Sequence, residues 1–246
     1  MHLLEIPQKI HFVTHEAHRQ GKRVYRVDID FRNAFNAMSH AALWHVMSMF
    51  HTPDIELLEQ IYEGATVRLA PNDAESATIT FDTGVAQGSI TSPQLFNIFI
   101  NALLRMLTTT GQNQGISHSL QIVKDQDDSS QDTDHGYQLN NIGFIDDISI
   151  FAETPEGMQT LLDVVQEFTI WCGMEINVKK TCLLVIDKVR KRRESTPAPD
   201  LRINDERLKL LDMNDACWYL GYWGTRNGDM SATREVVREK QEKHVT

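Results

Sequence analysis

Two pairs of aspartates interrupt stretches that are otherwise apolar and strand-like. Asp28 and Asp30 lie in "YRVDIDFRNAFN" at 25–36, and Asp146 and Asp147 lie in "GFIDDISIF" at 143–151. Clustered carboxylates repel one another, and a hard divalent cation such as Mg²⁺ relieves that repulsion and also binds substrate phosphates. A bound metal ion is therefore one explanation for the adjacent acids Asp146 and Asp147.

The first segment alternates with the period of a β-strand, so its side chains divide between two faces. One face consists of Tyr25, Val27, Ile29 and Phe31, and the other of Val24, Arg26, Asp28 and Asp30. The apolar face is predicted to pack in the core. The charged face has two interpretations at this point, because antiparallel sheets often leave one side in water: a solvated surface or a chemical site.

The second pair separates two apolar runs, which predicts a β-hairpin with the acids at its tip. The tip lacks the glycine that two-residue turns favour, so a turn alone explains the two acids less well than a chemical role does. A plain surface turn remains an alternative. A third stretch, "VAQGSITSPQLFNIFIN" at 85–101, places a Gln-Gly loop before a helix start. Helix N-termini favour anions and polar ligands, but a capped amphipathic helix alone also explains this pattern.

Several helices are predicted to position these segments. A hydroxyl residue followed by proline predicts an N-cap and a first helical residue at Thr52-Pro53, Ser92-Pro93 and Thr154-Pro155. These helices run over 53–63, 93–107 and 155–172 and end at or before Gly64, Gly111 and Gly173. A fourth helix over 40–50 follows a Ser39 cap. The helix from Pro93 is predicted to bury Leu95, Ile98, Phe99, Ala102 and Met106.

Strand-like segments alternate irregularly with these helices. They lie at 66–70, 77–84, 137–145, 148–153, 175–186 and 217–223. Because this order lacks the rhythm of a parallel βαβ fold, the predicted class is α+β, with helices packed on one face of a mainly antiparallel sheet.

Composition narrows the class of protein. With 246 residues and 41% hydrophobic content, the chain can bury one sizeable core. No apolar run approaches the roughly 18 residues that span a bilayer, and the start lacks a secretory signal, which predicts an intracellular protein without a membrane partner. Nucleus and cytoplasm are not distinguished. The net charge of −10 argues against a protein that simply coats nucleic acid.

Taken together, the motifs resemble the palm motifs of reverse transcriptases, most closely those of non-LTR retrotransposons and group II introns. "DFRNAF" resembles the Asp-x-x-x-Ala-Phe motif, "QGSITSPQLFN" the Gln-Gly…Ser-Pro-x-Leu-Phe-Asn motif and "FIDD" the aromatic-x-Asp-Asp motif. "GMEINVKKT" at 173–181 and "YLG" at 219–221 resemble the two segments that follow. The likeness covers roughly residues 10–225.

The resemblance implies RNA-templated DNA synthesis, with an RNA template, a DNA primer and deoxynucleoside triphosphates as partners. Asp30, rather than Asp28, stands in the register of the first motif. Asp30, Asp146 and Asp147 are therefore the implied catalytic residues and the ligands of two metal ions, Mg²⁺ with Mn²⁺ as an alternative.

Further roles follow from the same resemblance. The implied nucleotide-binding residues are Phe31, Phe35, Gln87, Gly88 and Lys180, and the implied primer contacts are Tyr219, Leu220 and Gly221. Phe35 would exclude a 2′-hydroxyl, with a plain core aromatic as the alternative. Lys180 would protonate or neutralise the pyrophosphate, and the alternative is that it is only an exposed strand lysine. If Lys180 does not have this role, Lys179 is the next candidate. The hairpin around 219–221 could instead only close the core.

The chain also departs from the family pattern. Ile145 stands where alanine is usual, and Asn36 stands where aspartate is usual. The resemblance divides the chain into a palm with residual fingers at 1–186, a basic and polar linker at 187–200, and a palm-closing hairpin with the start of a thumb-like helix at 201–246. Fingers and thumb are thus expected to be incomplete, and the missing segments would belong to a parent retroelement polyprotein.

Three alternatives to an active reverse transcriptase remain. The chain could be a catalytically inactive palm module that binds nucleic acid or a protein partner. It could also be an RNA-dependent RNA polymerase, against which Phe35 and the Gln-Gly segment argue. A nucleotidyl cyclase shares a two-metal palm, but would leave the Gln-Gly segment and the helix that follows it unexplained.

Overall fold

A computed structural model describes most of the chain. The described residues are 5–69, 77–80, 82–86, 89–120, 137–187, 198–211, 216–219 and 222–225. The linker core at 188–197 and the predicted thumb-like helix beyond 225 lie outside these ranges.

The helices of the described part share a simple order along the chain. They are α1 (Glu5–Gln20), α2 (Ala34–Ala37), α3 (His40–Met49), α4 (Ile55–Tyr62), α5 (Ser92–Gln114) and α6 (Pro155–Cys172). None of the helices in this part of the chain is long and apolar enough to cross a membrane.

The strands are mostly short and pair with antiparallel neighbours. They are β1 (Val24–Ile29), β2 (Phe31–Arg32), β3 (Thr66–Leu69), β4 (Ala77–Thr80), β5 (His118–Leu120), β6 (Tyr137–Leu139), β7 (Asn141–Phe144), β8 (Asp147–Ala152), β9 (Glu175–Ile176), β10 (Cys182–Ile186), β11 (Arg202–Ile203), β12 (Glu206–Arg207), β13 (Ala216–Tyr219) and β14 (Tyr222–Thr225).

A four-stranded antiparallel sheet in the order β10-β1-β8-β7 forms the centre of the fold. The remaining strands form two-stranded pairs, β2 with β9, β3 with β4, β5 with β6, β11 with β12 and β13 with β14. The α+β class with an antiparallel sheet is confirmed.

The main core lies on the sheet face that carries Val27 and Ile150. Apolar residues of α3, α5 and α6 pack there, including the fully buried Phe96 and Phe99 of α5. Ile203 of β11 and Leu201, which directly precedes this strand, join the same core. This face is the one that the alternation of the first segment predicted to be buried.

The opposite face is covered as well, by a helix that the sequence interpretation did not include. Ile10, Val13 and Ala17 of α1 form a second apolar cluster that includes Val24 and Phe151 of the sheet. The prediction of helices on one face therefore needs correction, and so does a solvated charged face for β1. All six residues of β1 are buried.

Two of the predicted helix starts are confirmed and two differ. Ser39 accepts a hydrogen bond from Ala42 N, and Thr154 accepts one from Gly157 N, as N-caps do. Helix α4 instead begins at Ile55 after Asp54, two residues later than predicted. Helix α5 begins at Ser92 itself, after Thr91, and the Ser92 hydroxyl donates to the Ala86 carbonyl at 2.6 Å.

The length and the buried face of α5 also differ from the prediction. The helix continues through Gly111 to Gln114 and ends at Gly115, whose φ is 66°. A Cβ on Gly111 would lie 1.9 Å from Asn140 Nδ2, so this glycine permits close packing rather than ending the helix. Five side chains of this helix were predicted to be buried. Leu95 and Phe99 are buried, Ile98 and Ala102 are partly buried, and Met106 is 41% exposed.

Candidate functional site

The pairing of β1 with β8 brings acids from distant parts of the sequence to one end of the sheet. Ile29 pairs with Ile148, the last pair of this ladder. Continuing the antiparallel register by one residue places Asp30 opposite Asp147, the first residue of β8. Because side chains alternate along each strand, Asp30 lies on the same sheet face as Asp28, two residues before it. Asp147 likewise shares this face with Ser149, two residues after it.

Asp146 lies in the tight turn that joins β7 to β8. Phe144 pairs with Asp147, so Ile145 and Asp146 form a two-residue connection. The predicted hairpin is confirmed, but its tip lies one residue earlier than predicted, because Asp147 is already paired in β8. Ile145 has φ 56°, a left-handed conformation that is a genuine outlier for a β-branched residue and costs roughly 1–3 kcal/mol. The strained residue therefore directly precedes the two acids.

The three carboxylates at this edge interact electrostatically. Burial, and after it repulsion from Asp146, Asp30 and Asp28 in that order, together raise the pKa of Asp147 to about 6. Burial also raises the pKa of Asp146, with an additional contribution from the charge of Asp30. The structure thus brings the predicted acids Asp30, Asp146 and Asp147 within electrostatic range of one another.

The segment 173–181 anchors the backbone of Asp30. Asn177 N donates to the Asp30 carbonyl at 2.8 Å, and Asp30 N donates to Thr181 Oγ1 at 3.4 Å. Thr181 Oγ1 in turn donates to the Asn177 carbonyl at 3.1 Å. The sequence interpretation assigned no role to Asn177 or Thr181, although both stand in the quoted stretch "GMEINVKKT" as its asparagine and its final threonine.

Asp28 has a buried structural partner of its own. Arg26 Nε donates to Asp28 Oδ1 at 2.7 Å, and Ser149 Oγ donates to the same oxygen at 2.5 Å. The Arg26 and Asp28 side chains are 2% and 5% exposed. Asp28 is therefore the partner of Arg26 in a buried ion pair, whereas Asp30 lies at the edge of the sheet.

Phe35 lies beside the segment that leads into the Gln-Gly loop. Its ring stacks on that of Phe96 with centroids 4.8 Å apart, and its carbonyl accepts from Val85 N at 2.8 Å. Gly84 has φ 83°, and a Cβ there would lie 2.7 Å from the Phe35 carbonyl oxygen. The side chain of Phe35 is half-buried, between the core and the surface.

The other residues assigned to nucleotide and primer lie in different surroundings. Phe31 is 6% exposed and pairs with Ile176, so it is a core residue in this structure. Lys180 is exposed in the turn before β10, and its N–H donates to the Asn177 carbonyl. Tyr219 pairs with Tyr222 in the β13–β14 hairpin. Gln87, Gly88, Leu220 and Gly221 lie outside the described residues, and their roles stay predictions.

The chemistry of the three acids fits a hard divalent cation, because carboxylate oxygens are its preferred ligands and its charge offsets their repulsion. Within the described residues, no group of three or more His, Cys, Asp or Glu side chains is already arranged to hold a metal ion.

Comparison with known protein families gives one broad match. The family described as "Reverse transcriptase (RNA-dependent DNA polymerase)" matches residues 2–223 of the chain. All of the motifs discussed above lie within that range.

Individual relatives come from insect retrotransposons. The chain is 26% identical over 224 residues to the Retrovirus-related Pol polyprotein from type-2 retrotransposable element R2DM of Drosophila melanogaster, covering 89% of this chain and 19% of the relative. It is 25% identical to the R2 Pol polyprotein of Nasonia vitripennis, with 84% and 19% coverage. The RNA-directed DNA polymerase from mobile element jockey of Drosophila funebris is 22% identical, with 71% and 18% coverage. The chain thus spans about a fifth of these relatives' length.

Solved structures with a similar fold include telomerases. An apo telomerase from Candida tropicalis, truncated from its C-terminal domain, superimposes with a TM-score of 0.58 over 92% of this chain and 39% of that chain, at 12% identity. The telomerase of the same organism in complex with a TWJ fragment of telomeric RNA gives 0.57 over 92% of this chain and 32% of that chain, also at 12% identity. At this level of identity the likeness concerns the fold alone.

Proposed function

Because this chain belongs to the reverse transcriptase (RNA-dependent DNA polymerase) family, we propose that it copies an RNA template into DNA by metal-assisted nucleotidyl transfer, as a segment of a retroelement polyprotein. The observation that carries the proposal is the convergence of Asp30, Asp146 and Asp147 at one sheet edge, where burial and mutual repulsion raise the pKa of Asp146 and Asp147.

In the proposed reaction the primer 3′-oxygen attacks the α-phosphorus of a deoxynucleoside triphosphate. The 3′-hydroxyl gives up its proton to solvent, the new P–O bond forms as the bond between the α-phosphorus and the oxygen bridging to the β-phosphorus breaks, and pyrophosphate leaves. Asp30, Asp146 and Asp147 would hold two divalent ions, which when bound lower the pKa of the primer hydroxyl and stabilise the triphosphate and pyrophosphate charge. Asn177 and Thr181 would keep the Asp30 backbone in place through the hydrogen bonds described above.

The remaining assignments are part of the same proposal. Phe35 would lie beneath the sugar of the incoming nucleotide and exclude a 2′-hydroxyl. Gln87 and Gly88 would contact the nucleotide and template. Lys180 would meet the pyrophosphate, which its exposure permits. The hairpin at 219–221 would hold the primer end.

Primer extension on an RNA template tests the proposal, with Mg²⁺ and Mn²⁺ in separate reactions. The chain is assayed alone and together with the upstream fingers segment of a related retroelement polyprotein. Extension is expected for the unmodified chain, and Asp30→Asn should abolish it. Asp163→Asn, an exposed acid on α6, is the matched control and should keep full activity. Absence of extension in every format would favour the alternative of an inactive palm module.

Replacing Phe35 by valine tests the selection of the sugar. The smaller side chain should admit ribonucleotides more readily, because the space needed by a 2′-hydroxyl opens, while deoxynucleotide incorporation continues. The measurement is the ratio of ribonucleotide to deoxynucleotide incorporation. An unchanged ratio in an active enzyme would make Phe35 only a core aromatic.

A further inference from the structure

A compact set of contacts joins helix α2 and the two residues after it to the segment 82–86. Val85 N donates to the Phe35 carbonyl at 2.8 Å, and Gly84 N donates to the Met38 carbonyl at 2.7 Å. Ser39 and Thr83 form an antiparallel bridge beside them. Those contacts are made by backbone groups, so they do not depend on the identity of a side chain.

One further contact between the same two segments comes from a side chain, that of His40. Its Nε2 lies 2.7 Å from the Gly84 carbonyl oxygen. Because a carbonyl only accepts hydrogen bonds, Nε2 carries the proton and donates. His40 is the first residue of α3, directly after the Ser39 cap, so the helix start fixes where its side chain begins.

Two aromatic rings hold the imidazole in this orientation. Tyr62 of α4 meets it edge-on with centroids 5.0 Å apart, and Trp44, one turn along α3, lies at 6.0 Å. Trp44 and Tyr62 also contact each other at 5.6 Å. The ring of His40 is thus packed between α3 and α4 while its Nε2–H faces the Gly84 carbonyl.

The segment that receives this bond is fixed at its other end by α5. Ser92 Oγ donates to the Ala86 carbonyl at 2.6 Å, and Phe96, one turn further along α5, stacks on Phe35. Val85 between these points is fully buried. A displacement at Gly84 would therefore be transmitted to the Phe35 carbonyl through one residue.

We propose that His40 is a positioning residue for Phe35: by donating to the Gly84 carbonyl, it holds the segment 82–86 against α2, which carries Phe35, and so sets the room available to the sugar of the incoming nucleotide. This inference rests on the proposed function, because it assigns His40 a part in substrate selection at that site. In this proposal His40 acts on the sugar site through the segment 82–86.

His40→Phe tests the inference, because phenylalanine keeps an aromatic ring against Trp44 and Tyr62 but lacks the N–H. His40→Gln restores a donor at similar reach. His45→Phe is the matched control, since His45 lies on the same helix but packs against Trp171, away from the segment 82–86. Circular dichroism and urea unfolding verify that each variant is folded.

The first measurement is amide hydrogen exchange at Gly84 and Val85 without any substrate. His40→Phe should speed it about fivefold, the order expected for losing one intramolecular hydrogen bond, while His40→Gln and His45→Phe stay near the unmodified chain. The second measurement is primer extension. His40→Phe should raise the KM for deoxynucleotides and lower the preference for them over ribonucleotides about fivefold, with kcat changed less than twofold.

The outcomes distinguish a failure of the positioning role of His40 from a failure of the proposed function. Unchanged exchange in His40→Phe, or an equal increase in His45→Phe, overturns the positioning role. Faster exchange with an unchanged sugar preference in an active enzyme also overturns it, because the segment would then move without affecting selection. If the unmodified chain extends no primer, the proposed function fails, its consequence for sugar selection fails with it, and the exchange result alone decides whether His40 holds the segment.

Discussion

Replacing Asp147 by asparagine is expected to stabilise the fold at neutral pH. Burial, followed by repulsion from Asp146, Asp30 and Asp28, raises the pKa of Asp147 from 3.8 to about 6. Ionising this carboxyl in the folded protein therefore requires free energy that the unfolded chain does not require. Asparagine has nearly the same shape and carries no charge, so the substitution removes that cost.

The magnitude follows from the pKa difference. It corresponds to ~3 kcal/mol when both states are fully ionised, at ~1.4 kcal/mol for each tenfold change in the ionisation constant. Solvent screens a partly exposed group, so we expect Asp147→Asn to raise the free energy of unfolding by about 1–2 kcal/mol at pH 7.5. Because the folded-state pKa is the higher one, the cost develops between the two pKa values as pH rises. The gain should thus fall by about half at pH 5.

Urea unfolding followed by circular dichroism measures this effect. Chelator is included so that no divalent cation offsets the repulsion. Asp163→Asn, the exposed acid on α6, is the control and should change stability by less than ~0.5 kcal/mol at either pH. A variant no more stable than the unmodified chain at pH 7.5, or a gain that does not depend on pH, would refute the electrostatic reasoning.

Other perturbations of the same sheet edge have different expected signs. Asp28→Asn should lower the free energy of unfolding by about 3 kcal/mol in urea titrations, because it leaves the buried Arg26 without its counter-charge; a loss below ~1 kcal/mol would contradict this. Thr181→Val should cost ~1 kcal/mol and slow primer extension by loosening the Asp30 backbone, and unaltered extension would count against that anchoring role. Gly84→Ala should destabilise by at least ~2 kcal/mol in thermal unfolding, since its φ is 83° and backbone atoms lie where the Cβ would be; near-normal stability would show that the contact yields easily.

The hairpin that carries the acids and two of the helices could be predicted, because interactions between residues close in the sequence determine them. Two apolar runs around adjacent acids predict a hairpin, and the hairpin is present. The capping signals at Ser39 and Thr154 place α3 and α6 correctly, since a hydroxyl that accepts from a backbone N–H two or three residues later is a local interaction.

Long-range packing could not be predicted in the same way. A solvated surface was one of two interpretations of the charged face of β1, yet α1 covers part of that face and Arg26 neutralises Asp28 within it. Neither contact is visible from the alternation of a single strand. Gly111 suggested the end of a helix because glycine is common there, but its actual partner is Asn140, which follows 29 positions later and whose Nδ2 donates to the Leu107 carbonyl. The anchoring of Asp30 by Asn177 and Thr181 joins segments that lie much further apart in the sequence.

The cross-strand bond from Ser149 to Asp28 has a consequence for how the sheet assembles. Asp28 and Asp30 lie two residues apart on the same face of β1, so the sequence of this face looks similar after a shift of two residues. A β1–β8 pairing shifted by two residues also keeps every side chain on its original face. Such a shift in one direction would carry Asp28 to the place opposite Asp147, and in the other direction would set it opposite the fully buried Phe151. Both misaligned sheets retain an apolar face for the main core. The Ser149 hydroxyl therefore distinguishes the correct alignment from two close competitors, and it makes Asp30 the acid that emerges at the edge.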